Sequence, residues 1–105
     1  MDSEMLNTAK KFSELIRLKF RDKIKDIIVF GSVARHEETE MSDIDILVIT
    51  KISDFRLKHS IISEAFDMSI ESGHYISVKV LDETEYQKKK YLSFFRNISA
   101  DGIAV

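Results

Sequence analysis

Three short runs rich in β-branched and apolar residues limit the fold of this chain more than any other feature. They cover residues 26–30, 43–49 and 75–81. Runs of this length and composition predict β-strands, and the first of them ends at Gly31, where the backbone can turn. A sheet of so few strands has to bury its apolar faces under other elements.

Helical patterns of apolar residues occupy the segments around these strands. Residues 3–23 predict an amphipathic helix that begins at Asp2 or Ser3, because either side chain can cap the first turn. Residues 54–72 predict a second helix, with Gly73 placed to end it. The apolar residues of this second helix form a wide stripe: Leu57, Ile61, Ile62, Ala65, Phe66 and Ile70.

The end of the chain carries a third helical signal. Asp82 followed by Glu85 is typical of a capping box, and it predicts helical structure from there to about Ser99. Gly102 would end this region, and residues 103–105 suit one more short strand. The element order predicts an α/β (α+β) fold in which helices flank a small mixed β-sheet. A length of 105 residues suits one domain, residues 1–105.

Composition excludes several classes of protein. There is no cysteine, which rules out disulfides, thiolate metal sites and a cysteine nucleophile. The net charge is −2 and the one basic cluster, residues 88–90, is best explained as a helix surface, so direct binding of nucleic acid is not expected. The sequence has no apolar leader and no membrane-spanning run, and we expect a cytoplasmic protein.

Asp43 and Asp45 stand at the head of the second predicted strand. Residues two apart on a strand are separated by about 6.5 Å and project from the same face, so the two carboxylates are aimed into one small volume. Aspartate is a poor strand former, and its hard oxygen ligands suit Mg²⁺ or Mn²⁺. The alternative is a polar strand entry at the surface with no ligand.

Gly31 and Ser32 follow the first predicted strand directly. The glycine lets the backbone approach a ligand closely, and Ser32 can offer its hydroxyl and, if a helical turn begins there, backbone N–H groups to a phosphate. Arg35, one turn further on, can add a bidentate phosphate contact. The alternative is an ordinary strand-to-helix turn with a serine cap and an exposed arginine.

Gly31-Ser32, ten residues, and then Asp43-x-Asp45 resembles the signature of minimal nucleotidyltransferase domains of the polymerase-beta-like superfamily. The surrounding helices and the stretch FFRNISADGI, residues 94–103, are similar to small prokaryotic members, so the resemblance covers nearly the whole chain. It implies that Asp43 and Asp45 are catalytic and bind Mg²⁺, and that Gly31 and Ser32 hold the triphosphate of ATP.

Many proteins of this kind are antitoxins paired with a HEPN-domain toxin. The resemblance therefore implies transfer of AMP from ATP to a tyrosine hydroxyl of such a partner, in a homo- or hetero-oligomer. Active members usually carry a third acidic residue on the next strand. Here Ser77 occupies the best-matching position, with Lys79 next on the same face, and Asp82 is available only near the strand end, where a helix cap explains it equally well.

Two other functions remain open at the level of sequence. A catalytically weak or inactive antitoxin of this fold would neutralise its partner by direct binding, and the missing third acid supports that alternative. A nucleotidyltransferase acting on a small molecule would need an acceptor pocket from another subunit, because related enzymes shape that pocket with an added helical domain.

Overall fold

The chain alternates helices and strands, and the computed structural model describes residues 3–105. A short 3-10 turn, Arg21–Lys23, joins the first helix to the first strand. The elements are α1 Glu4–Phe20, β1 Ile24–Phe30, α2 Gly31–Ala34, β2 Ile44–Thr50, α3 Phe55–Ser72, β3 Ile76–Asp82, α4 Glu83–Lys89, α5 Ser93–Asp101 and β4 Ile103–Ala104. Within residues 3–105, no helix combines the length and apolarity needed to cross a bilayer.

The four strands form one mixed sheet in the order β3-β2-β1-β4. Strand β1 runs antiparallel to both β2 and β4, whereas β2 and β3 are parallel because α3 carries the chain back between them. The predicted small mixed sheet is confirmed. The short strand expected within residues 103–105 is present as β4 at the edge beside β1.

Both faces of the sheet are buried, each by different helices. Ile44, Ile46 and Val48 of β2 belong to the core beneath α1 and α3. The alternate residues Leu47 and Ile49 face the other way and pack in a second core that includes Phe95 and Ile98 of α5. Alternate residues of β2 therefore pack against helices on both faces of the sheet, rather than on one face only.

The helix ends follow their capping residues. Ser3 accepts a hydrogen bond from the N–H of Leu6 at 3.0 Å and so caps α1, while the alternative cap Asp2 lies outside the described residues. Asp54 caps α3, and Gly73 ends it in the left-handed conformation with φ of 76°. The strands and helices begin and end within a few residues of the predicted positions.

The final helical region is two helices, not the single one that the sequence predicts. Leu92 adopts an extended conformation, with φ of −68° and ψ of 146°, and separates α4 from α5. This change of direction lets Phe95 and Ile98 pack on the second face of the sheet. Burial of these side chains outweighs the small gain from continuing one helix.

The wide apolar stripe predicted for α3 is buried only in part. Leu57, Ile61 and Ala65 lie in the core, but Ile62, Phe66 and Ile70 are exposed. A helix that lies on one sheet buries only the arc of its surface that faces the sheet, and this stripe is wider than that arc.

Candidate active site

Gly31 joins β1 to α2 and lies against Asp45 of the neighbouring strand. Its φ is +72°, a conformation that L side chains rarely adopt. A Cβ atom built at this position would lie 2.3 Å from Oδ2 of Asp45. Glycine is therefore required at this position for two reasons: the backbone conformation disfavours any other residue, and a side chain would collide with the carboxylate of Asp45.

The turn after Gly31 is the helical turn that phosphate binding at Ser32 would require. The N–H of Arg35 donates to the carbonyl of Gly31 at 3.2 Å, and the N–H of Glu37 donates to the carbonyl of Ser32 at 2.9 Å. The first N–H groups of such a turn have no carbonyl partner within it, so they are available to an anion. Ser32 is half-buried, and Arg35 is exposed and pairs with Glu37.

The loop between α2 and β2 is closed by its own hydroxyl groups. The N–H of Thr39 donates to Oγ of Ser42 at 2.9 Å, and the N–H of Met41 donates to Oγ1 of Thr39 at 3.2 Å. The N–H of Ser42 donates a hydrogen bond to the carbonyl of Thr39 at 3.0 Å. These bonds fix the loop immediately before Asp43.

Asp43 and Asp45 remain neighbours across the start of β2. Asp43 is exposed and lies one residue before the strand, while Asp45 is half-buried and pairs with Phe30 of β1. Burial raises the pKa of the Asp45 carboxyl, the charge of Asp43 raises it further, and Arg35 opposes the shift. Two like charges held this close favour a cation between them.

Strand β3 brings a hydroxyl, not a carboxylate, beside this pair. In the parallel register Ser77 pairs with Asp45, and Lys79 pairs with Leu47. Ser77 is therefore the residue of β3 that stands where a third acid would face the two aspartates. The ammonium of Lys79 lies 5.6 Å from the centre of the Phe94 ring, within cation–π range.

The side chain of Asp82 caps the start of α4. Its carboxylate accepts a hydrogen bond from the N–H of Glu85 at 2.9 Å, and the Glu85 carboxylate accepts one from the N–H of Asp82 at 3.2 Å. The hydrogen bonds from Glu85 lower the pKa of Asp82. Asp82 pairs with Thr50 at the far end of β2, whereas Asp45 is near its beginning.

A cavity of about 730 Å³ opens over Gly31 and Asp45, a size typical of ligand sites. Residues from α3, β3, α4 and α5 complete its wall. Besides Gly31, Asp45 and Ser77, the polar and aromatic residues that line it are Phe30, Arg35, Lys58, Lys79, Glu85, Lys89, Phe94, Asn97 and Asp101. Four of these side chains are cationic, which suits a ligand with several negative charges.

The α5 side of this wall was missed by reasoning from the sequence. Phe94, Asn97 and Asp101 of α5 line the cavity, and so does Lys89 of α4, which is exposed on its helix as the sequence predicts for residues 88–90. Phe94 is 49% exposed, in contrast to its buried neighbour Phe95. A signal was present, because Phe94, Asn97 and Asp101 are spaced as one face of a helix.

The donor set fits a hard divalent cation. Asp43 and Asp45 offer carboxylate oxygens close to each other, and the missing side chain of Gly31 leaves room for the Asp45 carboxylate. Within residues 3–105, no group of three or more histidine, aspartate and glutamate side chains is arranged to hold a metal ion. Magnesium commonly takes one or two protein carboxylates and fills its remaining positions with phosphate oxygens and water.

Comparison with known proteins identifies the family to which these residues match. Residues 10–100 match the family described as "Nucleotidyltransferase domain". A protein of Methanocaldococcus jannaschii that carries the name "Putative protein adenylyltransferase" is 38% identical over 93 residues, which make up 89% of this chain and 89% of that protein.

Two solved complexes share the fold. A chain from the complex of the tri-AMPylated HEPN toxin with the MNT antitoxin of Shewanella oneidensis superposes with a TM-score of 0.57 and 18% identity, over 95% of this chain and 70% of that one. A chain from a toxin–antitoxin crystal structure with AMP-PNP gives a TM-score of 0.62 and 17% identity, over 90% and 70%. The match across most of its length shows that this chain belongs to the nucleotidyltransferase domain family.

Proposed function

We propose that this chain is a cytoplasmic antitoxin that transfers AMP from magnesium-bound ATP to a tyrosine hydroxyl of a HEPN-domain toxin. The observation that carries the proposal is the approach of the Gly31 turn to Asp45, with the charge of Asp43 beside it. The name of the M. jannaschii relative supports protein adenylylation, and the fold shared with a complex of an AMPylated HEPN toxin supports the partner.

The Gly31 turn and the cations of the cavity would hold the triphosphate. Backbone N–H groups at the start of α2 and the hydroxyl of Ser32 are uncharged and would donate hydrogen bonds to the phosphate. Arg35 would add a positively charged guanidinium. Lys79 and Lys89 line the same cavity and can balance the remaining phosphate charge.

Asp43 and Asp45 would hold Mg²⁺. When bound, the ion neutralises phosphate charge and lowers the pKa of an attacking hydroxyl. The half-buried side chain of Asp45 extends from β2 into the space that glycine at position 31 leaves free of a side chain. Asp43, at the end of a hydrogen-bonded loop, contributes the more exposed carboxylate.

In the transfer, the acceptor oxygen forms a bond to the α-phosphorus of ATP. The bond from that phosphorus to the bridging oxygen of the β-phosphate breaks, and pyrophosphate leaves. The acceptor proton passes to solvent, because Ser77 has no basic group at neutral pH. The cationic wall of the cavity stabilises the charge on the departing pyrophosphate.

The test is transfer of label from α-labelled ATP to a HEPN partner in the presence of Mg²⁺. We expect Asp43→Asn and Asp45→Asn each to lower the rate at least about a hundredfold, because each removes a carboxylate that would hold the Mg²⁺ needed to neutralise the transferring phosphate. Asp22→Asn, at an exposed aspartate in the turn after α1, is the matched control and should label at the wild-type rate. Label transfer that survives both site substitutions would reject the mechanism.

A second function, neutralisation of the partner by binding alone, is favoured by one observation. Ser77 stands in register with Asp45 where a third carboxylate would help to remove the acceptor proton. A binding-only antitoxin suppresses its partner without ATP or Mg²⁺ and tolerates Asp45→Asn. If suppression requires ATP and both aspartates, binding alone is insufficient.

A further inference from the structure

Helix α3 has a second apolar face that is largely exposed within residues 3–105, and one of its members, Ile62, also lines the cavity over Asp45. Phe55, Ile62, Phe66 and Ile70 are 72%, 42%, 61% and 69% exposed. Their spacing sets them on one side of the helix, turned away from the buried Leu57, Ile61 and Ala65. We call these four residues, with His59 between the first two, the α3 row.

The α3 row has the form of a helix-pairing seam. Its members follow one another at intervals of three or four residues, the spacing at which one helix packs along another. The ring of His59 lies 5.0 Å from that of Phe55 in an edge-to-face contact and continues the row between Phe55 and Ile62. An uncovered row of large apolar residues on a surface helix is typical of an interface.

Charges beside the row reveal what kind of partner fits it. Arg56 flanks its N-terminal half and Asp67 flanks its C-terminal half, on the same side of the helix by their spacing. Neither side chain has an ion-pair partner in the part of the chain that the structure describes. Nearby acids are already engaged, since Asp54 caps α3 and Glu64 pairs with Lys19.

We propose that the α3 row pairs with the α3 row of a second copy of this chain, antiparallel and about a two-fold axis near residues 61 and 62. In that arrangement the same flank of each helix faces its symmetry mate. Arg56 of each copy then lies beside Asp67 of the other, so the contact forms twice. Because Arg56 and Asp67 carry opposite charges and lie on opposite sides of the middle of the row, two antiparallel copies of the row have complementary charges.

The first test is the mass of the protein in solution, measured by sedimentation over a range of concentrations. The wild type is expected to sediment as two chains. Phe66→Glu, which puts a charge into the row, is expected to sediment as one. Leu18→Glu, at a residue 66% exposed on α1, is the matched control and should remain two chains. A cooperative thermal unfolding transition would confirm that each variant is folded.

The second test uses the charges. Arg56→Asp and Asp67→Arg are each expected to weaken dimerisation about tenfold, because either change breaks two symmetric contacts. The double variant R56D/D67R should recover the wild-type affinity, since its charges are complementary again. Recovery is specific to antiparallel pairing of identical helices.

Three outcomes would overturn the proposal. One is a single-chain mass for the wild type at every concentration. Another is a dimer that survives Phe66→Glu or that R56D/D67R fails to restore. The third is a row that is covered only when a HEPN partner is added, which would assign the surface to a different protein. None of these measurements depends on nucleotide transfer.

Discussion

At the scale of single residues, the two left-handed glycines offer a direct test of the site. Gly31 and Gly73 have φ values of +72° and +76°, but only Gly31 has an atom within 4 Å of its missing Cβ. Alanine at either position should cost about 1 kcal/mol of folding free energy for the backbone strain. In Gly31→Ala the new methyl group must also displace the carboxylate of Asp45.

We therefore expect similar losses of stability in the two variants and very different activities. The Asp45 side chain can rotate to relieve the contact, so the extra cost of Gly31→Ala should appear in nucleotide transfer. Urea unfolding and label transfer measure the two quantities. Equal activity of Gly31→Ala and Gly73→Ala would contradict the assigned role of the Gly31 turn.

The carboxyl of Asp45 should make the metal-free protein less stable as pH rises. Burial first, and then the charge of Asp43, raise its pKa above the ordinary value near 3.8. The folded protein then keeps this proton to higher pH than the unfolded chain does, so stability falls as pH rises through the window above 3.8. Asp45→Asn removes this effect.

We expect Asp45→Asn to melt a few degrees above the wild type at pH 7 without metal, and at about the same temperature at pH 3. The difference is small because the side chain is only half-buried and water screens its charge. Added Mg²⁺ should stabilise the wild type and leave Asp45→Asn unchanged. A variant that melts lower than the wild type at pH 7 would contradict the sign of this effect.

At the scale of elements, the start of α4 decides between two roles for Asp82. Because the carboxylate caps the helix, Asp82→Ala should lower the melting temperature by several degrees, whereas Asp82→Asn, which can still accept the Glu85 N–H, should lower it little. Both variants should keep wild-type transfer at a temperature where they are folded. An Asp82→Asn variant that is stable but inactive would identify Asp82 as the missing acid.

The helices also show where local sequence signals stop. The caps at Ser3 and Asp82 are visible in sequence because each is a short-range pattern of a polar side chain and nearby N–H groups. The break at Leu92 has no comparable local signal. It follows from the packing of Phe95 and Ile98 on the sheet, a contact between distant parts of the chain.

At the scale of the whole molecule, the sequence predicts the fold well. Periods of two and of about four residues identify the principal elements, and β2 shows both of its faces through alternate apolar residues. Prediction overestimated the buried part of α3, because an apolar stripe cannot distinguish a core from an interface. Phe66 is the clearest example, apolar in pattern but 61% exposed.

The candidate site was predictable where it depends on neighbouring strands. Gly31 and Asp45 could be paired from sequence because β1 and β2 are consecutive strands. The far wall, with Lys79 and Asn97, is brought to the site by the crossover through α3 and by the docking of α5. These arrangements depend on tertiary packing, which local patterns in a single sequence do not reveal.

The central position of β2 has a consequence for synthesis on the ribosome. One edge of this strand is covered by β1, which precedes it, and the other by β3, which follows only after α3. While the nascent chain still lacks residues 76–82, an apolar strand presents unpaired backbone groups to other growing chains. Slow translation through the α3 segment would prolong that exposure and favour aggregation.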